Sequence, residues 1–153
     1  MSLFHASLMT FLISMVPVLE LRGAIPVGVA GGLSPLLAMC IAIVGNLMPI
    51  PILIMFTRRV LNWLKTKGRI HLLVEKLETR AAEKSQLVQK YAWVGLCILV
   101  ASPLPGTGAW TGALVAAILD MRLKKAMPVI CLGVVIAGFI VTCLTYGATH
   151  LLG

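Results

Sequence analysis

The chain has 153 residues, of which 59% are hydrophobic and 12% charged, and its mean hydropathy is +1.02. Soluble domains average about 45–50% apolar and about 25% charged residues, so the composition excludes a water-soluble fold and indicates one integral membrane domain. The net charge of +8 is concentrated in two stretches, which argues against nucleic acid and for flanks that face anionic lipid headgroups.

Residues 3–33 are apolar except at Glu20-Leu21-Arg22-Gly23-Ala24-Ile25-Pro26. No Lys or Arg precedes the apolar residues 3–19, so a signal peptide is not expected. A charge at bilayer depth is costly and marks function. Glu20 is the only acidic residue inside an apolar block and Arg22 the only basic one. Two readings of the pair stand open. They can pair with each other and cap a strained turn. Alternatively they line a cavity at the bilayer midplane, where a carboxyl group held from water can exchange protons near neutral pH and a guanidinium suits phosphate or carboxylate.

After the turn Gly31-Gly32-Leu33-Ser34-Pro35, residues 35–56 form a run long enough to span a bilayer core, which takes about 20 helical residues. Pro49 and Pro51 predict a kink in its second half, with Asn46 just before it. An asparagine within a span usually bonds to a neighbouring helix. Residues 57–90 are polar and carry nine of the 13 Lys and Arg (58, 59, 65, 67, 69, 76, 80, 84 and 90). They are expected to form an amphipathic connector helix on the membrane surface, divided at Gly68, with Leu73, Leu77, Ala81 and Val88 on one face. Trp63 and Tyr91 are too few for a nucleic-acid stacking platform.

Residues 91–119 are apolar but interrupted by Ser102-Pro103-Leu104-Pro105-Gly106-Thr107-Gly108-Ala109-Trp110. Pro and Gly open the helical ladder, and the freed backbone must be buried in protein or face a water-filled cavity. The flanking arms, 92–102 and 109–119, each reach about half the bilayer at about 1.5 Å per residue, as a hairpin dipping to the midplane requires. The turn at 120–125 carries Arg122, Lys124 and Lys125, and residues 126–150 form the last spanning run.

Charge tests this layout. If 91–119 crossed fully, one basic loop would lie outside. If it is re-entrant, loops 57–90 and 120–125 both lie in the cytoplasm. The expected fold is then an all-α integral membrane protein of the inner or plasma membrane with two inverted repeats, 1–56 and 91–153. Each is a re-entrant helical hairpin plus a transmembrane helix, and the cytoplasmic helix 57–90 joins them. Leu21-Arg22-Gly23 set against Leu104-Pro105-Gly106 is a weak echo of the repeat.

The candidate substrate and coupling residues are Glu20, Arg22, Gly23, Pro26, Pro103, Pro105, Gly106, Thr107, Gly108 and Trp110. Pro26 suits the first turn of a new half-helix and Thr107 an N-cap. Two helix starts converging near Arg22 would form an anion site. Equally, the glycines can serve close packing alone. Trp110 is expected to pack against the hairpin, an aromatic wall for a cation being the alternative.

The remaining residues point to no enzyme. Cys40, Cys97, Cys131 and Cys143 sit in apolar segments without metal-like spacing, and His5, His71 and His150 are dispersed at expected interfaces. Neither a nucleophile–base pair nor a phosphate-loop, dinucleotide or metalloprotease motif is present, so no catalytic residue, cofactor or metal is expected. The partners expected are membrane lipids, a small amphiphilic or lipid substrate, and a second copy of the chain. Broken backbone near lipid needs cover, and Gly133, Ala137 and Gly138 are candidates for that helix contact.

At its two breaks the chain resembles the bacterial and archaeal family of small multi-drug export proteins. The likeness rests on Glu20-Leu21-Arg22-Gly23-Ala24-Ile25-Pro26 and on Pro103-Leu104-Pro105-Gly106-Thr107-Gly108-Ala109-Trp110 and extends over nearly the whole chain. It implies a small polytopic membrane protein. More distantly the chain is similar to the DedA-like (VTT) superfamily, which implies inverted re-entrant hairpins and movement of polyprenyl-phosphate or phospholipid. Glu20 matches that superfamily's acidic position. Its second-hairpin arginines are replaced here by Pro105, Thr107 and Trp110, which leaves Arg22 or Arg122 to supply the charge. The expected function is a transporter or lipid translocase for an anionic headgroup or phosphate-bearing lipid, coupled to protons through Glu20. The alternatives are proton-coupled export of cationic amphiphilic drugs and a non-transporting scaffold acting through helix 58–90.

Overall fold

The computed structural model describes residues 2–66 and 85–152. Among them the fold is all-helical: α1 Leu3–Met15, α2 Glu20–Ala30, α3 Pro35–Leu47, α4 Ile50–Lys65, α5 Ser85–Ala101, α6 Ala109–Ile118 and α7 Leu123–Leu152.

Local chemistry sets the boundaries. Ser2 caps α1 and Ser34 caps α3, each accepting a backbone N–H three residues on, and Pro35 fills the first position of α3. Pro17 ends α1: the residue before a proline is pushed out of the helical region, and Val16 is extended at φ −75°, ψ 129°. The first break therefore falls at 16–19, earlier than the expected 20–26, and Glu20 opens α2. Pro26 lies inside α2, in its second turn rather than its first, where its missing N–H leaves the Arg22 carbonyl without the usual i+4 donor.

α3 and α4 form one span, Pro35–Lys65, of 31 residues. It is interrupted at Met48 and Pro49 as the prolines predict. At about 1.5 Å per residue it runs about 46 Å, well beyond a bilayer core of about 30 Å. The second candidate span is Leu123–Leu151. α4 runs on through 57 to Lys65, because no Pro or Gly lies between Pro51 and Gly68 to stop it where the charge begins. Likewise residues 85–90 extend α5. The divide at Gly68 and the face through Leu73, Leu77 and Ala81 lie outside the described residues, and Val88 falls within α5.

The helices fold back in pairs. A Cβ on Gly28 of α2 would lie 2.5 Å from Thr10 Oγ1 of α1, and one on Gly112 of α6 would lie 2.4 Å from Val100 Cγ2 of α5. α1, α2 and α3 pack together, as do α5, α6 and α7. Between these units the packing is reciprocal: α2 lies on α7, α6 lies on α4, and α3 crosses α7. The core combines Leu21, Ile25, Ile50, Ile54, Leu96, Val100, Ile130 and Val134 with alanines at 24, 42, 113, 116 and 126. The outer face is apolar, with Phe4, Leu36, Ile52, Phe56, Ile98, Leu132 and Phe139 exposed, an amount of exposed apolar surface that suits lipid rather than water.

The residues expected at a contact between copies are used within the chain. A Cβ on Gly133 would lie 2.7 Å from Val100 Cβ of α5, and one on Gly138 would lie 3.2 Å from Ile43 Cδ1 of α3. Ala137 is buried between them.

Candidate functional site

Glu20 begins α2 in the left-handed region at φ 47°, a conformation that costs a non-glycine residue about 1–2 kcal/mol. Its side chain is only 4% exposed. It turns towards the second break, where Oε1 accepts the backbone N–H of Trp110 at 3.1 Å. Trp110 is the second residue of α6, so the carboxylate caps the positive end of that helix. Gly108 makes room: its φ is 141°, and a Cβ there would lie 2.0 Å from Glu20 Oε2.

Arg22 serves the other side of the same break. Its Nη1 donates to the Leu104 carbonyl, and its Nη2 donates to the Ser102 carbonyl and, at 3.1 Å, to Thr107 Oγ1. These carbonyls follow the C-terminus of α5, where a cation is favoured. Thr107 Oγ1 in turn donates to the Leu104 carbonyl at 2.7 Å and lies 3.1 Å from the Ser102 carbonyl. The charged residues of the first hairpin thus satisfy the backbone freed by the second break.

Three expectations change. Glu20 and Arg22 do not cap their own turn; each reaches about 80–90 residues along the chain to the opposite hairpin. Thr107 is not the N-cap: Gly108 holds that position without a side-chain bond, and the hydroxyl is spent on carbonyls. The two helix starts are not left free as a pair for an anion. The α6 start holds the Glu20 carboxylate, and the Glu20 and Gly23 N–H groups of α2 are bonded to the Val16 and Leu19 carbonyls at 2.9 Å.

What remains open is a cleft of about 740 Å³ between α2 and α7, lined by Arg22, Pro26, Val29, Ala30, Pro103, Val141, Leu144, Thr145, Ala148 and Thr149. Its walls are largely apolar and, among the described residues, Arg22 is the one charged residue that lines it; Arg22 Nε is buried without a partner. Gly23 is half-buried and packs on Leu19, while Pro105 and Gly106 are exposed at the tip of the second break. Trp110 contributes its N–H rather than an aromatic wall, and its ring is partly buried against the core. Arg122 is exposed beyond the far end of α6, so among the described residues Arg22 brings the positive charge to the second break.

Several polar residues have no clear signal in the sequence. Thr145 and Thr149 enter the cleft only because α7 lies on α2. Arg58 of α4 pairs with Asp120 at 3.3 Å and donates to the Met121 carbonyl, tying the first span to the turn before α7. Asp120, like Glu20, has a positive φ (50°). Asn46, by contrast, stands out in the sequence as a residue that should bond to a neighbouring helix, but it is fully buried and neither its Oδ1 nor its Nδ2 has a partner.

A family model described as "Putative small multi-drug export protein" matches residues 20–140. No curated protein and no solved structure matches the chain significantly.

Proposed function

The chain belongs to this export family, and on that premise we propose that it is a small transporter or lipid translocase that moves an amphiphile with an anionic, phosphate-bearing head. The head passes Arg22 where the two breaks meet at the bilayer midplane, and the tail lies in the apolar cleft and the adjoining lipid. Glu20 couples this movement to protons by holding or leaving the start of α6. In this reading the two hairpins are re-entrant from opposite sides of the cell membrane and the two units are inverted repeats. Loops 57–90 and 120–125 are then cytoplasmic, and a second copy covers the exposed tips at 16–19 and 103–106.

The observation that carries the reading is Arg22, among the described residues the single charge of a largely apolar cleft and at the same time a donor to the carbonyls of the second break. A head that competes for its guanidinium loosens the contact between hairpins, so binding and opening are linked. The reciprocal packing of α2 on α7 and α6 on α4 supports the repeat. A cationic drug finds no counter-charge among the described residues that line this cleft, none of which is acidic.

The test is flux in proteoliposomes. Fluorescently labelled phosphatidylglycerol should move with the wild type, and its rate should vary with pH. Glu20→Gln should be slow at every pH. Arg22→Lys keeps the charge but loses the planar fork, and should bind this probe more weakly while leaving movement of a cationic dye unchanged. Phosphatidylglycerol flux unaffected by both substitutions would remove the breaks from the mechanism.

A further inference from the structure

We propose that Asn46 is a further binding residue of this site, whose amide meets the polar head of the amphiphile once the Glu20 carboxyl leaves the start of α6. The proposal rests on the function argued above. A fully buried amide with both polar atoms unpaired is costly, and such groups call for an explanation beyond packing. Leucine has the same branching of heavy atoms and removes that cost, at the expense of two bulkier methyl groups.

The register of the helices places Asn46 at the level of Glu20 along the helix axes. Gly28 of α2 stands against Ala38 of α3, where a Cβ would come within 3.1 Å of the Ala38 Cβ. α2 and α3 are joined by the short turn before Pro35 and run antiparallel. Counting back from Gly28 to Glu20 along α2 therefore counts forward from Ala38 to Asn46 along α3. A second contact gives the same level independently: a Cβ on Gly45 would lie 2.0 Å from Ser14 Oγ, and Ser14 is in the last turn of α1, just before the first break.

Two further features share this level. Glu20 holds a left-handed backbone, and the helical ladder of the span is interrupted at Met48 and Pro49, two residues after Asn46. Backbone strain, an interrupted span and an unpaired amide together describe a place built for a second arrangement. The amide offers both a donor pair and an acceptor, so it can bond a phosphate oxygen or a head-group hydroxyl.

Two measurements test this. Asn46→Leu should unfold at the same temperature as the wild type or higher, while flux of labelled phosphatidylglycerol falls about tenfold or more, the expected effect of one lost hydrogen bond to a charged head. Wild-type flux with raised stability would overturn the proposal and leave Asn46 an unpaired core amide.

The second measurement needs neither transport nor a known substrate, and it decides the matter if Asn46→Leu fails to fold. In a chain whose four native cysteines are replaced, Asn46→Cys is treated with a small polar thiol reagent. The reaction should be slow and should accelerate about tenfold when Glu20→Ala is added, since that change removes the carboxylate cap, worth about one charge-assisted bond. No reaction in either background, while the exposed control Ser34→Cys reacts, would overturn the proposal. A wild type that moves no labelled lipid would sink the proposed function separately, and the thiol reaction would then decide whether Asn46 faces the site.

Discussion

At position 108 a single added methyl group would land 2.0 Å from Glu20 Oε2, and at position 106 it would meet nothing within 4 Å. Both glycines have positive φ, so the two substitutions separate strain from collision. Gly106→Ala should cost about 1 kcal/mol, the price of a left-handed alanine. Gly108→Ala adds displacement of a buried carboxylate from its backbone donors and should cost clearly more, about 3 kcal/mol. Thermal unfolding of the two variants in the same detergent checks the order, and equal losses would show that Glu20 does not depend on the room Gly108 leaves. At this scale Glu20 and Arg22 were legible in the sequence, because a charge inside an apolar block stands out whatever the fold. Their partners were not legible. Backbone N–H and C=O groups exist at every residue, and which ones lie free beside a given side chain depends on how two distant hairpins dock.

Among the elements, the prolines were good guides to where helices fail and poor guides to how. Pro17, Pro49 and Pro103 each stand at an interruption, yet Pro26 and Pro128 lie within helices. A proline removes one hydrogen bond and crowds one carbonyl, a loss that surrounding packing can offset in one place and not in another. The ends of α4 and α5 were misread for a related reason. Charge marks where a helix leaves the apolar zone, but only backbone chemistry stops it, and no Pro lies between Pro51 and Pro103. The proposed orientation of these elements makes a direct prediction. In a chain without native cysteines, cysteines at Thr66 and Lys124 should react with an impermeant thiol reagent from the same, cytoplasmic, side, and one at Ser34 from the opposite side. Reaction of Thr66 and Lys124 from opposite sides would require 91–119 to cross the membrane fully.

At the scale of the whole molecule, the small residues of α7 serve the fold of one chain. Gly133 receives Val100 and Gly138 receives Ile43, so Gly133→Leu should lower the thermal stability of the single chain rather than merely separate copies. The surface that the proposed second copy would cover lies elsewhere, at the tips. Residues 16–19 and 103–106 are exposed, and backbone outside a helical ladder cannot face lipid. We expect two copies per particle when the protein is extracted with its native lipids and weighed by native mass spectrometry. A single copy with full flux would refute this.

The sequence by itself determined that this is a helical membrane protein, with two long candidate spans and two broken apolar blocks, and that Glu20 and Arg22 are the charges set inside an apolar block. Those properties follow from composition and from backbone chemistry local to each residue: apolar length, the missing N–H of proline, the cost of a charge in hydrocarbon. Tertiary structure alone decided that Glu20 caps α6, that Arg22 serves the carbonyls after α5, that the apolar cleft runs along α7, and that Asn46 is left unpaired at the same level. Each of these depends on residues far apart in the chain. Their pairing is set by the docking of two hairpins across small-residue crossings, where shape rather than any local pattern selects the partner.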